Sequence, residues 1–152
     1  MDKILLPADT WVLVGDGRKA LVFRNAGDAE IPNLKTIDVF KQNRPSHTAD
    51  IGTDKPGRTN PRTTTGHSAY EQADWHEIEE LRFADRMAEV LTEREQAHAF
   101  KKLVIVAPPK TLAELRRALP DNVKRHIIAE VDKDLTKHPV YEIERLLTGK
   151  HK

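Results

Sequence analysis

Apolar and polar positions alternate with strand-like and helix-like periods on either side of one long aperiodic gap. "TWVLVG" from Thr10 to Gly15 and "ALVFR" from Ala20 to Arg24 are short, apolar and rich in β-branched residues. Between them "DGRK" puts Asp16 and Gly17 where a tight turn needs positive φ, so the two runs predict a β-hairpin. After the loop "NAGDAEIPN", "LKTIDVF" from Leu34 to Phe40 alternates as a half-buried third strand does. From Lys41 to His67 no period is sustained; Pro and Gly recur with threonines between them. A loop of that length inside a compact domain is uncommon, and such loops are usually functional or disordered.

Beyond the gap the period becomes helical. Ser68-Ala-Tyr-Glu71 has capping-box spacing, in which the serine accepts from the backbone N–H three residues on and the glutamate reaches back. Asp74 with Glu77 is a second candidate start. Leu81, Ala84, Ala88 and Leu91, widened by Phe83, Met87 and Val90, predict a long amphipathic helix packed on a sheet. Its other face carries Glu79, Arg82, Asp85, Arg86, Glu89 and Glu93 at pairing distances of three and four residues. "KLVIVAPP" from Lys102 to Pro109 is continuously apolar, as strands buried in parallel sheets are. Thr111 and Glu114 form another capping box, and Leu112, Leu115, Ala118 and Leu119 predict a helix that stops before Pro120. Asp121 caps a short turn, "HIIAEV" from His126 to Val131 is a last strand, and Pro139 suits the first turn of a last helix. That helix buries Val140, Ile143 and Leu147 and stops at Gly149. The expected fold is α/β in the order βββ-α-β-α-β-α, a mixed sheet with helices packed on it. We expect one domain over residues 1–152 with a basic, threonine-rich loop at about 41–67.

Charge changes this picture only locally. The formal net charge is +1, which gives no whole-chain argument for nucleic acid or membrane. The loop is mildly basic, with Lys41, Arg44, Lys55, Arg58 and Arg62 against Asp50 and Asp54. There is no cysteine, so disulfides, thiol catalysis and cysteine-based metal sites are excluded. No secretion signal is read at the N-terminus, and no apolar run approaches the roughly 20 residues of a membrane span. A cytoplasmic protein without membrane insertion is expected.

The element order is that of ribonuclease H-like domains, whose first three strands form an antiparallel meander. Enzymes on that fold hold two metal ions with carboxylates from the first strand, first helix and fourth strand. Here the first strand has no internal acid and the fourth ends in proline, so no metal site and no cofactor is expected. Asp16 fits turn chemistry. His76 and Glu80 have a metal-compatible helical spacing, but "HEIEE" lacks the second histidine of the zinc-protease motif. Asp132 and Asp134 follow the last strand, where open α/β sheets often bind ligands, and also suit a turn. No nucleophile-elbow sequence flanks Ser46 or Ser68, and no glycine-rich phosphate loop is present. No catalytic residue is assigned.

Five blocks carry a family likeness: "DTWVLVGDGRKALVFRN", "GTDKPGR", "DWHEIEELRFADRMAEVL", "LVIVAPPKTLAELRRAL" and "EVDKDLTKHPVYEIERLL". In that order they resemble the bacterial host attachment protein family, described as required for attachment to host cells. That family is similar to the middle domain of archaeal and eukaryotic peptide release factors, which is ribonuclease H-like. In those factors a loop ending in Gly-Gly-Gln, followed by serine and an arginine-bearing helix, enters the peptidyl-transferase centre. The corresponding stretch is Thr65-Gly66-His67-Ser68, where Gly66 and Ser68 match, threonine replaces the first glycine and histidine the glutamine. The resemblance implies a binding module without peptidyl-tRNA hydrolysis. Its partner would be the ribosome or structured RNA, met by Lys55, Arg58, Arg62, Gly66, His67, Ser68, Arg82 and Arg86. A cytoplasmic protein partner behind an indirect attachment effect, and a hydrolase using His67 or His76 with Glu80, are the alternatives.

Overall fold

The computed structural model describes residues 3–42 and 69–149, with the backbone alone over 69–74. Strands β1 (Trp11–Gly15), β2 (Lys19–Asn25) and β3 (Leu34–Lys41) come first, then helix α1 (Ala69–Gln96). β4 (Leu103–Ala107), α2 (Pro109–Ala118), α3 (Asp121–Lys124), β5 (Ile127–Asp132) and α4 (Val140–Thr148) complete the chain. The expected order is present, with α3 as an added turn of helix. All five strands form one mixed sheet in the order β3-β2-β1-β4-β5. β2 runs antiparallel to β1 and β3, whereas β4 runs parallel to β1 and β5. No helix among the described residues is long and apolar enough to cross a membrane.

β1 and β4 are buried at every position, which is why both read as unbroken apolar runs. Their alternate side chains feed two cores. Leu13, Leu103 and Ile105 pack with Phe83, Met87 and Leu91 of α1 and Leu112 and Leu115 of α2. Val12, Val14, Val104 and Val106 pack on the other face with Leu6 and with Ile143 and Leu147 of α4. The edge strands are each broken once: the pairings on either side of Ile37 in β3 and Ile128 in β5 leave those two residues unopposed and exposed. A bulge at an edge interrupts the open ladder that another strand would need.

Three local expectations are corrected. The hairpin forms, and Asp16 Oδ1 accepts the backbone N–H groups of Arg18 and Lys19, both at 2.8 Å. Gly17, however, does not adopt positive φ; Gly149, at 74°, is the one such glycine among the described residues. Gly17 instead leaves room for Glu80 of α1, because a Cβ there would sit 2.8 Å from Cγ and Cδ of that side chain and displace it. Thr111 and Glu114 do not form a capping box. α2 begins earlier, with Pro108 as N-cap and Pro109 at the first position, so Thr111 and Glu114 lie inside the helix and are buried. A proline there gives up only an N–H that has no intrahelical partner anyway. Asp121 makes no side-chain cap bond either, since Pro120 occupies the N-cap of α3. Gly149 does end α4, its N–H reaching the Arg145 carbonyl at 2.7 Å.

The loop after β2 is pinned by Asn25, which is fully buried. Its Nδ2 donates to the Leu6 carbonyl at 2.8 Å, while its Oδ1 accepts from Gly27 N at 2.9 Å and Asn33 N at 2.8 Å. One side chain therefore ties the N-terminal segment, the end of β2 and the start of β3 together.

Candidate functional site

α1 starts at Ala69, immediately after Ser68, and lies against the hairpin tip at Glu80. At the usual rise its first eleven residues extend roughly 16 Å. Antiparallel pairing brings the end of β3 back to the same tip: Lys41 lies directly opposite Lys19, and Gln42 N donates to the Arg18 carbonyl at 2.7 Å. The end of β3 that leads into residues 43–68 therefore sits at the hairpin tip, and α1, which follows them, reaches the same tip at Glu80.

Of the residues singled out in the sequence, Lys55, Arg58, Arg62, Gly66, His67 and Ser68 lie outside the described residues. Arg82 and Arg86 are described, one turn apart on α1, and they differ. Arg86 is built into the end of β3: its Nη1 donates to the Lys41 carbonyl at 2.9 Å and its guanidinium lies 5.5 Å from the Phe40 ring centre. Arg94, two turns further on, makes a parallel tie to Asp38 at 3.1 Å. Arg82 is exposed. It lies 5.7 Å from the Trp75 ring centre and 3.9 Å from Glu79, the long end of ion pairing.

The structure adds three cations that the sequence reading did not select for this site: Arg18, Lys19 and Lys41. Among the described residues no carboxylate is within 4.0 Å of the charged groups of Arg18, Lys19, Lys41 or Arg86. "DGRK" displays two of them at a turn, but only the register of β3 on β2 puts Lys41 opposite Lys19. Like charges directly opposite each other weaken a strand pair.

The other side of α1 is acidic and internally compensated. Lys110, near the start of α2, pairs with Glu77 at 3.3 Å and Glu80 at 3.4 Å. The Glu77 hydrogen bond, aided by the Glu80 charge, holds the Lys110 ammonium above its ordinary range. Glu80 thus pairs with Lys110 while its side chain lies against Gly17. Among the described residues no group of three or more His, Asp or Glu is arranged to hold a metal ion. Glu114 is buried below this pair, with Oε1 lacking a hydrogen-bond partner, and burial pushes its carboxyl up.

The acids after β5 serve the loop. Asp134 Oδ1 accepts from the Thr136 hydroxyl at 2.7 Å and its N–H at 3.0 Å. The same hydroxyl is 3.2 Å from Asp16 Oδ2, so one threonine bridges the hairpin and the β5–α4 loop. Burial alone would push the Asp134 carboxyl up, but the two Thr136 bonds outweigh it, with Lys137 and His138 nearby, and hold it below its ordinary value.

The model of bacterial archaeo-eukaryotic release factor family 12 matches residues 9–147, which takes in every strand and all of the helices but the last residue of α4. The chain belongs to this family. No curated protein matches it. Membership of a release factor family agrees with the likeness read from the sequence blocks.

Proposed function

We propose that this release factor family member is a non-catalytic module that binds RNA, on the ribosome or as structured RNA, through the hairpin-tip edge of its sheet. The observation that carries the reading is the set of cations at that edge without carboxylate partners among the described residues: Arg18, Lys19, Lys41 and Arg86, with Arg82 beside them. A phosphate between Lys19 and Lys41 would relieve their mutual repulsion, and phosphate neutralisation is the dominant, salt-sensitive term in nucleic-acid binding. Lys55, Arg58 and Arg62, which lie between β3 and α1 in the sequence, are further candidates for phosphate contact. The sheet order supports a ribonuclease H-like reading of the fold. The non-catalytic part of the proposal rests on His67 standing where the release factors have glutamine. On this reading an effect on host attachment is indirect, exerted through the RNA or ribosomal partner.

A second reading, a regulator that binds a protein and no nucleic acid, is favoured by exposed apolar residues on β3 and α4, namely Val39 and Tyr141. Co-sedimentation with ribosomes and with structured RNA, at low and moderate salt, separates the two. Association at low salt that weakens with salt, with a shallower salt slope in Arg18→Ala/Lys41→Ala, is the expected result. Absence of association at low salt would sink the RNA reading and leave the protein-partner one.

A further inference from the structure

Tryptophan is costly to leave in water, and the two tryptophans of this chain are treated oppositely. Trp11 is 5% exposed and packed at a tilt in the core with its ring centre 5.2 Å from that of Phe100, whereas Trp75 is 53% exposed. Trp75 lies on the part of α1 that precedes the Glu80 contact with the hairpin tip, and it belongs to neither of the two buried cores. Ile78, the next residue on that helical face, is also exposed. One turn further, Arg82 sets its guanidinium against the indole, with Arg86 following on α1 and hydrogen-bonded to the carbonyl of Lys41 at the end of β3. An open aromatic ring beside a row of cations is the arrangement that receives an unstacked nucleobase: the ring takes the base face and the cations take the flanking phosphates. A duplex, whose bases are stacked on one another, cannot use the ring.

We infer that Trp75 is a stacking platform for an unpaired base, so that the RNA partner is recognised at a single-stranded segment or loop. The inference deepens the RNA reading above and depends on it. The charge pattern favours nucleic acid over a protein at this ring. Of the acids whose side chains are described on this part of α1, Glu77 and Glu80 pair with Lys110 and Glu79 lies 3.9 Å from Arg82, while Arg86 and Lys41 have no carboxylate within 4.0 Å among the described residues.

The test uses the full chain, a short unstructured single-stranded RNA and a blunt duplex of the same length, at low salt. Tryptophan emission should be quenched by the single strand and scarcely changed by the duplex, because Trp11 is enclosed. Trp75→Ala should weaken single-strand binding roughly tenfold or more, the cost of losing one base–aromatic stack, and leave duplex binding unchanged. Trp75→Phe should retain most of the affinity. Binding of single strand and duplex with equal affinity and no quenching would overturn the stacking inference while leaving the RNA reading intact. Failure of the wild type to bind either RNA would overturn both. If Trp75→Ala fails to fold, the quenching difference in the wild-type chain still decides, and Trp75→Phe with unimpaired folding and no single-strand binding would also refute a simple stacking role.

Discussion

Asn25→Ala is the substitution for which the structure gives the clearest magnitude. The side chain is fully buried and three backbone groups depend on it at good distance: the Leu6 carbonyl, Gly27 N and Asn33 N. Two more carbonyls, of Pro7 and Asp28, lie 3.3 Å from the same Nδ2, which has only two protons to give. A buried backbone group left without its partner costs about 1–3 kcal/mol. Three of them, with water re-entering on the loop side, come to about 3–5 kcal/mol, a large share of the roughly 5–15 kcal/mol of a typical domain. For a chain of this size the thermal midpoint should fall by roughly 8–16 °C. Urea unfolding should show a lower midpoint at unchanged slope, since the surface exposed on unfolding hardly changes. Asn25→Asp should be at least as damaging, because a carboxylate would face carbonyl oxygens where the amide now donates. A loss below about 1 kcal/mol for Asn25→Ala, at unchanged slope, would refute the claim that this side chain holds the three segments together.

Gly27→Ala should unfold the same loop, because the new Cβ would fall on the Ile31 carbonyl oxygen, a backbone atom that cannot swing away; a thermal midpoint within about 2 °C of wild type would contradict this. Glu95 and Glu114 should differ in sign. Hydrogen bonds from Asn122 and then His126, with the charges of His126 and Arg125, hold the Glu95 carboxyl below its ordinary 4.5, so its contribution is complete above that value and is lost as pH falls through the lower folded value. The stability advantage of wild type over Glu95→Gln should therefore shrink in urea titrations taken into acid. Burial, with Glu80 and Glu77 nearby, raises the Glu114 carboxyl above 4.5 against the opposing charges of Lys110 and Arg117, so its ionisation becomes unfavourable to the fold as pH rises through the raised value. Glu114→Gln should gain on wild type between acid and neutral pH, and a constant difference across that range would contradict the assignment.

The two kinds of information separate cleanly in this chain. Periodicity located every strand and the three longer helices, because β1, β4 and the Phe83–Leu91 face of α1 are buried as units and selection for burial leaves its mark on neighbouring positions. Turn and cap chemistry was less legible. Gly17 carries the residue type of a positive-φ turn, but the constraint comes from Glu80, sixty-three positions away in sequence, and Pro108-Pro109 displaces the capping box that Thr111 and Glu114 spell. The site was legible only in part for the same reason. Arg82 and Arg86 announce themselves by helical spacing, whereas Arg18, Lys19 and Lys41 are ordinary surface cations until the register of β3 on β2 sets Lys41 across from Lys19 and Arg86 closes on the Lys41 carbonyl. What distinguishes a binding edge from a solvated one here is the absence, among the described residues, of carboxylate partners for these cations, and that is a property of pairing across the fold. The opposite side of α1 makes the contrast: Lys110 is equally basic in sequence, yet two glutamates from α1 neutralise it, whereas near the end of β3 no carboxylate among the described residues lies within 4.0 Å of Arg86 or Lys41, and compensation on that side resumes only at Arg94 with Asp38. If RNA is bound, it is therefore the β3 side of α1 that should carry the salt dependence, and Lys110→Ala should leave the slope unchanged where Arg18→Ala/Lys41→Ala lowers it.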